Sequence, residues 1–155
     1  MSLMFTSEVD IHAPAQAFFD AFSDVAAWNG WMQGVVSVEV LTEGGFGVGT
    51  QWRETRRMFG RDASEVFEVT AWDPPRLAAV LVDGRKGSTG KGAFRFRYEL
   101  SPGAGGATHV RMQGEVEMPG WFSRLMARLF LRTFHKACDR DLMALKAHLE
   151  QSAQA

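Results

Sequence analysis

The chain has one cysteine, one tyrosine and five prolines in 155 residues, and almost no net charge. A lone cysteine, Cys138, cannot close an internal disulfide or supply the paired thiolates of a structural zinc site, so the fold must rest on an apolar core. No apolar run approaches the ~20 residues a spanning helix needs. The N-terminus also lacks the basic region, apolar stretch and small-residue cleavage site of a secretory signal, and a cytoplasmic protein is expected. A formal net charge of -1 sets up no field for nucleic acid, and no such partner is expected.

Motifs that carry chemistry are absent too. Gly44, Gly45, Gly47 and Gly49 miss the G-x-G-x-x-G spacing, and they run into Thr50-Gln51 where a phosphate loop needs Lys followed by Ser or Thr. There is no H-E-x-x-H and no G-x-S-x-G. His12, His109 and His148 share no ligand spacing. His135, Cys138 and Asp139 are neighbours on one helix face but have no second contributing segment. Neither a metal nor a cofactor is expected.

What is present is apolar material, 46% of residues against 23% charged, enough for one domain spanning 1–155. Phe5, Val9 and Ile11 alternate with polar residues as a half-buried strand does, and Pro14 then opens a short helix carrying Ala17, Phe18, Ala21 and Phe22. Asp24 is placed to cap a second short helix through Trp28, and Gly34 opens a strand holding Val36, Val38 and Val40. The glycines at 44–49 form a turn into the strand Thr50–Phe59. After Gly60-Arg61-Asp62, Ala63–Trp72 continues as a strand with Phe67, Val69 and Ala71 on one face.

Leu77–Val82 is another strand. Beyond a Gly, Lys and Ser loop, Phe94, Phe96, Tyr98 and Leu100 alternate with charged residues, and Val110, Met112, Val116 and Met118 do so in a last strand. From Trp121 to about Gln151 no glycine or proline interrupts a pattern of apolar residues at three- and four-residue steps, which predicts one helix of ~30 residues, about 45 Å long. The order strand, two short helices, six strands, long helix gives an α+β domain: a curved seven-stranded antiparallel sheet wrapped around the C-terminal helix. Phe94, Phe96, Tyr98, Met112, Phe122, Met126 and Phe130 are expected to face the space between them, and such aromatic and Met-rich walls suit flat or flexible apolar ligands.

Four segments carry a family resemblance: Val9-Asp10-Ile11-His12-Ala13-Pro14-Ala15-Gln16-Ala17-Phe18-Phe19; Asp24 with Trp28 and Trp31; Gly47-Val48-Gly49-Thr50; and Val69-Thr70-Ala71-Trp72-Asp73-Pro74-Pro75-Arg76-Leu77. With the long helix they span nearly the whole chain, which resembles the START-like (SRPBCC) superfamily and, within it, the polyketide cyclase/dehydrase and lipid-transport group. The resemblance implies a helix-grip fold with a ligand cavity, and it places Trp28 and Trp31 at the cavity mouth, where the plainer reading has both capping the core. None of the resembling motifs is catalytic.

In the strand from Thr50, alternation puts Trp52, Glu54, Arg56 and Met58 on one face, and Trp52 and Met58 favour that face as inward. Glu54 and Arg56 would then meet the cavity as an orienting or acid/base pair; on the alternative, the strand is an edge and both charges are wet. Tyr98, mid-strand on the apolar face, is the best single candidate for a polar ligand contact, with a structural hydrogen bond the competing role. Arg124, Arg128, Arg132, Lys136 and Arg140 recur every fourth residue and wind around the helix as a solvated stripe. With Trp121, Phe122 and Phe130 nearby, contact with anionic lipid is expected to be transient at most.

Carriage of a small hydrophobic molecule such as a lipid, quinone or polyketide-like aromatic is therefore the first expectation. It would use Trp28, Trp31, Trp52, Phe67, Phe94, Phe96, Tyr98, Met112, Phe122, Met126 and Phe130. A cyclase/dehydrase-type enzyme moving a proton with Tyr98 or the Glu54/Arg56 pair is the alternative. A chaperone-activator-like interaction module with a filled interior is a further one.

Overall fold

The computed structural model describes residues 2–154. β1 (Leu3–Ile11) leads into α1 (Ala15–Ser23) and a 3₁₀ turn (Val25–Gly30). Then come β2 (Val35–Val40), β3 (Gln51–Met58), β4 (Arg61–Asp73), β5 (Leu77–Asp83), β6 (Ala93–Pro102), β7 (Thr108–Glu117) and α2 (Trp121–Gln154). The seven strands form one antiparallel sheet in the order β1-β7-β6-β5-β4-β3-β2. This is the α+β helix-grip arrangement that the order of elements predicts, with α2 lying across the inner face.

α1 follows Pro14, whose φ of -61° suits a helix start, and it buries Phe18, Phe19 and Phe22. Asp24 begins the 3₁₀ turn through its backbone, its carbonyl accepting from Ala27 N at 3.0 Å, and the expected side-chain cap is not made.

Two strands depart from strict alternation. A register shift between Val35 and Ser37 turns Val35 into the core and leaves Val36 exposed, so the expected face of Val36, Val38 and Val40 is broken at its first member. A second shift, between Val69 and Ala71, has Trp72 rather than Ala71 facing inward; Trp72 pairs with fully buried Ala78 and packs its ring 5.1 Å from Phe19 and 4.7 Å from Phe46.

α2 is 34 residues long. Apolar residues surround its first three turns, so periodicity there does not single out the buried face. The sheet selects Ala127, Leu131, Phe134, Cys138, Leu142, Leu145 and Leu149, a 4-3-4-4-3-4 run, with the three last leucines buried. Burial of each such leucine is worth about 1.5–3 kcal/mol. Polar bonds fix the helix to β1: Ser7 Oγ donates to Asp139 and lies 3.0 Å from His135 Nε2, while Glu150 accepts from His12 N at 3.1 Å. His135 and Asp139 thus work as a clasp to the sheet, and no cluster able to hold a metal occurs among the described residues. The Phe5 ring meets Phe134 edge-on and His135 at a tilt, and it has room to do so because its β7 partner is Gly114, where a Cβ would fall 2.1 Å from Phe5 Cζ.

Candidate ligand-binding cavity

Between the inner face of the sheet and α2 lies a cavity of about 470 Å³, within the ordinary size range of small-molecule sites. It forms because the α2 residues that meet the sheet midway along, Phe134, Ala137 and Cys138, do not fill the curve of β3 to β7.

Uninterrupted alternation in β6 brings Phe94, Phe96 and Tyr98 to the wall, with Met112 beside them from β7. β3 and β4 contribute in pairs: Trp52 lies opposite Phe67, their rings stacked at 5.4 Å and 8°, and the next inward pair is Glu54 opposite Glu65. The inward face of β3 is therefore that of Trp52, Glu54, Arg56 and Met58, and β2 takes the edge position. Trp28 and Trp31 wall the end nearest the 3₁₀ turn. Trp28 is buried and its indole donates to Ala21 O at 3.1 Å, whereas Trp31 stacks on His148 at 4.8 Å.

Phe122, Met126 and Phe130 do not line the cavity, contrary to expectation. Phe122 and Phe130 are 58% and 55% exposed, on the side of α2 turned from the sheet. Trp121, Leu125 and Leu129 are exposed with them, and Arg124, Arg128 and Arg132 stand among these residues. The result is an apolar, basic outer surface at the N-terminal end of the helix.

Sequence reasoning missed four polar members of the site, Glu65, Ser88, Thr89 and Asp141. Asp141 reaches the cavity from the inward face of α2, three residues beyond Cys138, and pairs with Arg56 Nη2 at 2.9 Å. Glu65 shares its strand face with Phe67, two residues away. Thr89, from the β5–β6 loop, donates its backbone N–H to Glu65 Oε1 at 2.8 Å. Asp141 and Glu65 were legible as charges standing at apolar-face spacing. The loop contact had no local signal.

The polar cluster is partly satisfied. Arg56 Nε donates to Glu54 Oε1 and its terminal nitrogens to Asp141, with Met32 Sδ 3.0 Å from Nη2. Glu54 is 3% exposed, and its Oε2 closes no hydrogen bond; the same holds for the buried Trp52 Nε1 and Glu65 Oε2. Burial pushes the Glu54 carboxyl above its ordinary range; the Arg56 guanidinium opposes this, and Asp141 adds to it. Asp141 is raised by burial in the same way, again opposed by Arg56. Burial alone would lower Arg56, but the two carboxylates outweigh it and hold the guanidinium firmly charged.

Burial lifts the Tyr98 phenol well above its usual value. It lifts the Cys138 thiol to about 12, which makes that side chain a poor nucleophile.

A long helix gripped by a seven-stranded antiparallel sheet around a mainly apolar cavity is the architecture of the START-like superfamily. The family described as "Polyketide cyclase / dehydrase and lipid transport" matches residues 2–150, and the chain belongs to it. Among solved structures, the Zhui aromatase/cyclase from Streptomyces sp. R1128 superposes with a TM-score of 0.82 at 16% identity, covering 100% of this chain and 98% of that one. Major latex-like protein 151 from Panax ginseng gives 0.79 at 10% identity, covering 96% and 98%. A START superfamily protein from Mycobacterium smegmatis gives 0.66 at 18%, covering 96% and 97%. At these identities the likeness is one of fold. No curated protein sequence matches the chain.

Proposed function

We propose that the protein binds a small, largely apolar molecule between the sheet and α2 and holds one polar group of it against the Glu54, Arg56, Asp141 and Tyr98 cluster. The observation that carries this reading is the conjunction, in one cavity of about 470 Å³, of aromatic walls and buried polar atoms with no protein partner. Burying roughly 250 Å² of apolar ligand surface contributes about 6 kcal/mol at 25 cal/mol per Å², before the cost of immobilising the ligand. The polar cluster then selects orientation rather than supplying most of the affinity. Carriage asks for no bond-making step.

Proton transfer of the cyclase/dehydrase kind is a second reading, and one observation favours it. Glu54 and Asp141 are both raised, which brings a buried carboxyl closer to the range in which it exchanges protons near neutrality. An interaction module with a filled interior finds no such support, because the interior is open. Loading from an anionic lipid surface fits the first reading, with the exposed aromatic and basic start of α2 as the contact.

Native mass spectrometry of the purified protein, followed by organic extraction, tests the proposal. A hydrophobic small molecule travelling with the chain is the expected result. A protein that arrives empty and takes up no hydrophobic dye would overturn it.

A further inference from the structure

The charges lining the cavity do not balance. Three carboxylates, Glu54, Glu65 and Asp141, face one basic residue, Arg56. That guanidinium is already occupied by Glu54 and Asp141. Among the described residues no lysine, histidine or second arginine lines the cavity, so no unpaired cation is there to receive a carboxylate or phosphate, and the unpaired Trp52 indole is a neutral donor. Acceptors, by contrast, are left over: Glu54 Oε2, on a residue 3% exposed, and Glu65 Oε2 are buried with no hydrogen-bond donor among the described residues.

Their placement sharpens the point. Glu54 and Glu65 are direct partners across β3 and β4, a position in which like charges destabilise a sheet. The next inward pair, Trp52 and Phe67, puts stacked aromatic rings beside them, and such rings attract a cation. A bare metal ion fits poorly, because no cluster able to ligate one is found among the described residues.

We propose that the cavity selects molecules that carry a protonated amine on an aromatic or aliphatic body, with the ammonium donating to Glu54 and Glu65, and that it discriminates against carboxylates and phosphates. This rests on the cavity being a ligand site at all. The apolar body occupies the space among Phe94, Phe96, Met112 and Phe134, and the ammonium supplies the donors that the two carboxylates lack.

Calorimetric titration with three probes of one shape tests it: 1-naphthylmethylamine, 1-naphthylmethanol and 1-naphthoate, alongside a neutral hydrophobic dye. The amine is expected to bind at least about tenfold more tightly than the alcohol, and the naphthoate most weakly. Glu54→Gln and Glu65→Gln should each weaken the amine by a larger factor than the alcohol and so shrink the amine's advantage. The second variant does not touch the Arg56 pairs, so it remains informative if the first fails to fold. Naphthoate binding as well as the amine, or the dye binding while the amine does not, would overturn the inference and leave the cavity reading standing. No binding by any probe or by the dye would overturn both.

Discussion

Replacing Arg56 by methionine would remove the one cation of the cavity while keeping most of its aliphatic bulk. Two carboxyls, Glu54 and Asp141, would then be left without their common partner. Truncating one side of a buried ion pair costs about 3–5 kcal/mol, and because the Arg56 and Asp141 side chains remain 26% and 28% exposed the lower end applies, about 3 kcal/mol. For a domain of this size that corresponds to a fall in melting temperature of roughly 6–12 °C. The loss should depend on pH. A carboxyl whose folded pKa lies above its unfolded value favours the folded state when protonated, and that contribution is lost as pH rises from the unfolded to the folded pKa. Both carboxyls are already raised in the intact protein, and losing Arg56 raises them further, so the penalty is larger at pH about 8 than at pH about 5. Urea unfolding of both proteins at the two pH values measures it. A penalty below about 1 kcal/mol that does not change with pH would refute the reasoning and mark the cluster as solvated.

Other consequences can be checked in parallel. Gly114→Ala should destabilise by about 1–3 kcal/mol in thermal unfolding, because the new methyl group meets the Phe5 ring; an unchanged midpoint would contradict that packing. His109, hydrogen-bonded to Asp10 at 2.6 Å and to Glu8, has its pKa raised by those bonds, so its contribution to stability is present below its unfolded pKa and is lost as pH climbs through the folded one. His109→Ala should therefore lower stability more at pH about 5.5 than at pH about 8, and an equal loss at both would exclude the effect. Vesicles containing an anionic lipid should pellet the protein where zwitterionic vesicles do not, and a Phe122→Ser, Phe130→Ser variant should lose this; co-sedimentation unaffected by the double substitution would rule out the start of α2 as the contact.

Much of the fold was legible because its signals are periodic. β6 reads without interruption as Phe94, Phe96, Tyr98 and Leu100, and it stands mid-sheet with one face to the cavity. The two bulges leave no trace in the sequence because each is a local shift of one residue that leaves composition unchanged, so strict alternation puts Val36 and Ala71 on faces they do not occupy. The inner face of α2 was readable only in its second half. Phe122, Met126 and Phe130 satisfy helical spacing as well as Leu131 and Phe134 do, and the sheet alone decides between them. Within the cavity, Glu54, Arg56 and Tyr98 were found because each is an oddity on an apolar face. Asp141 and Glu65 are oddities of the same kind that were overlooked, whereas Thr89 reaches the site through a loop whose path no pattern encodes.

If the space between the sheet and α2 is a binding site, filling it abolishes binding. Ala137 faces the cavity from α2 and Val82 from β5, so Ala137→Trp and Val82→Phe each occupy it from an opposite wall. A neutral hydrophobic dye should bind the unaltered protein saturably at one site, and it should lose most of that binding in either variant that melts near the original temperature. Equal dye binding by well-folded variants of both kinds would show that the cavity is not where hydrophobic molecules go.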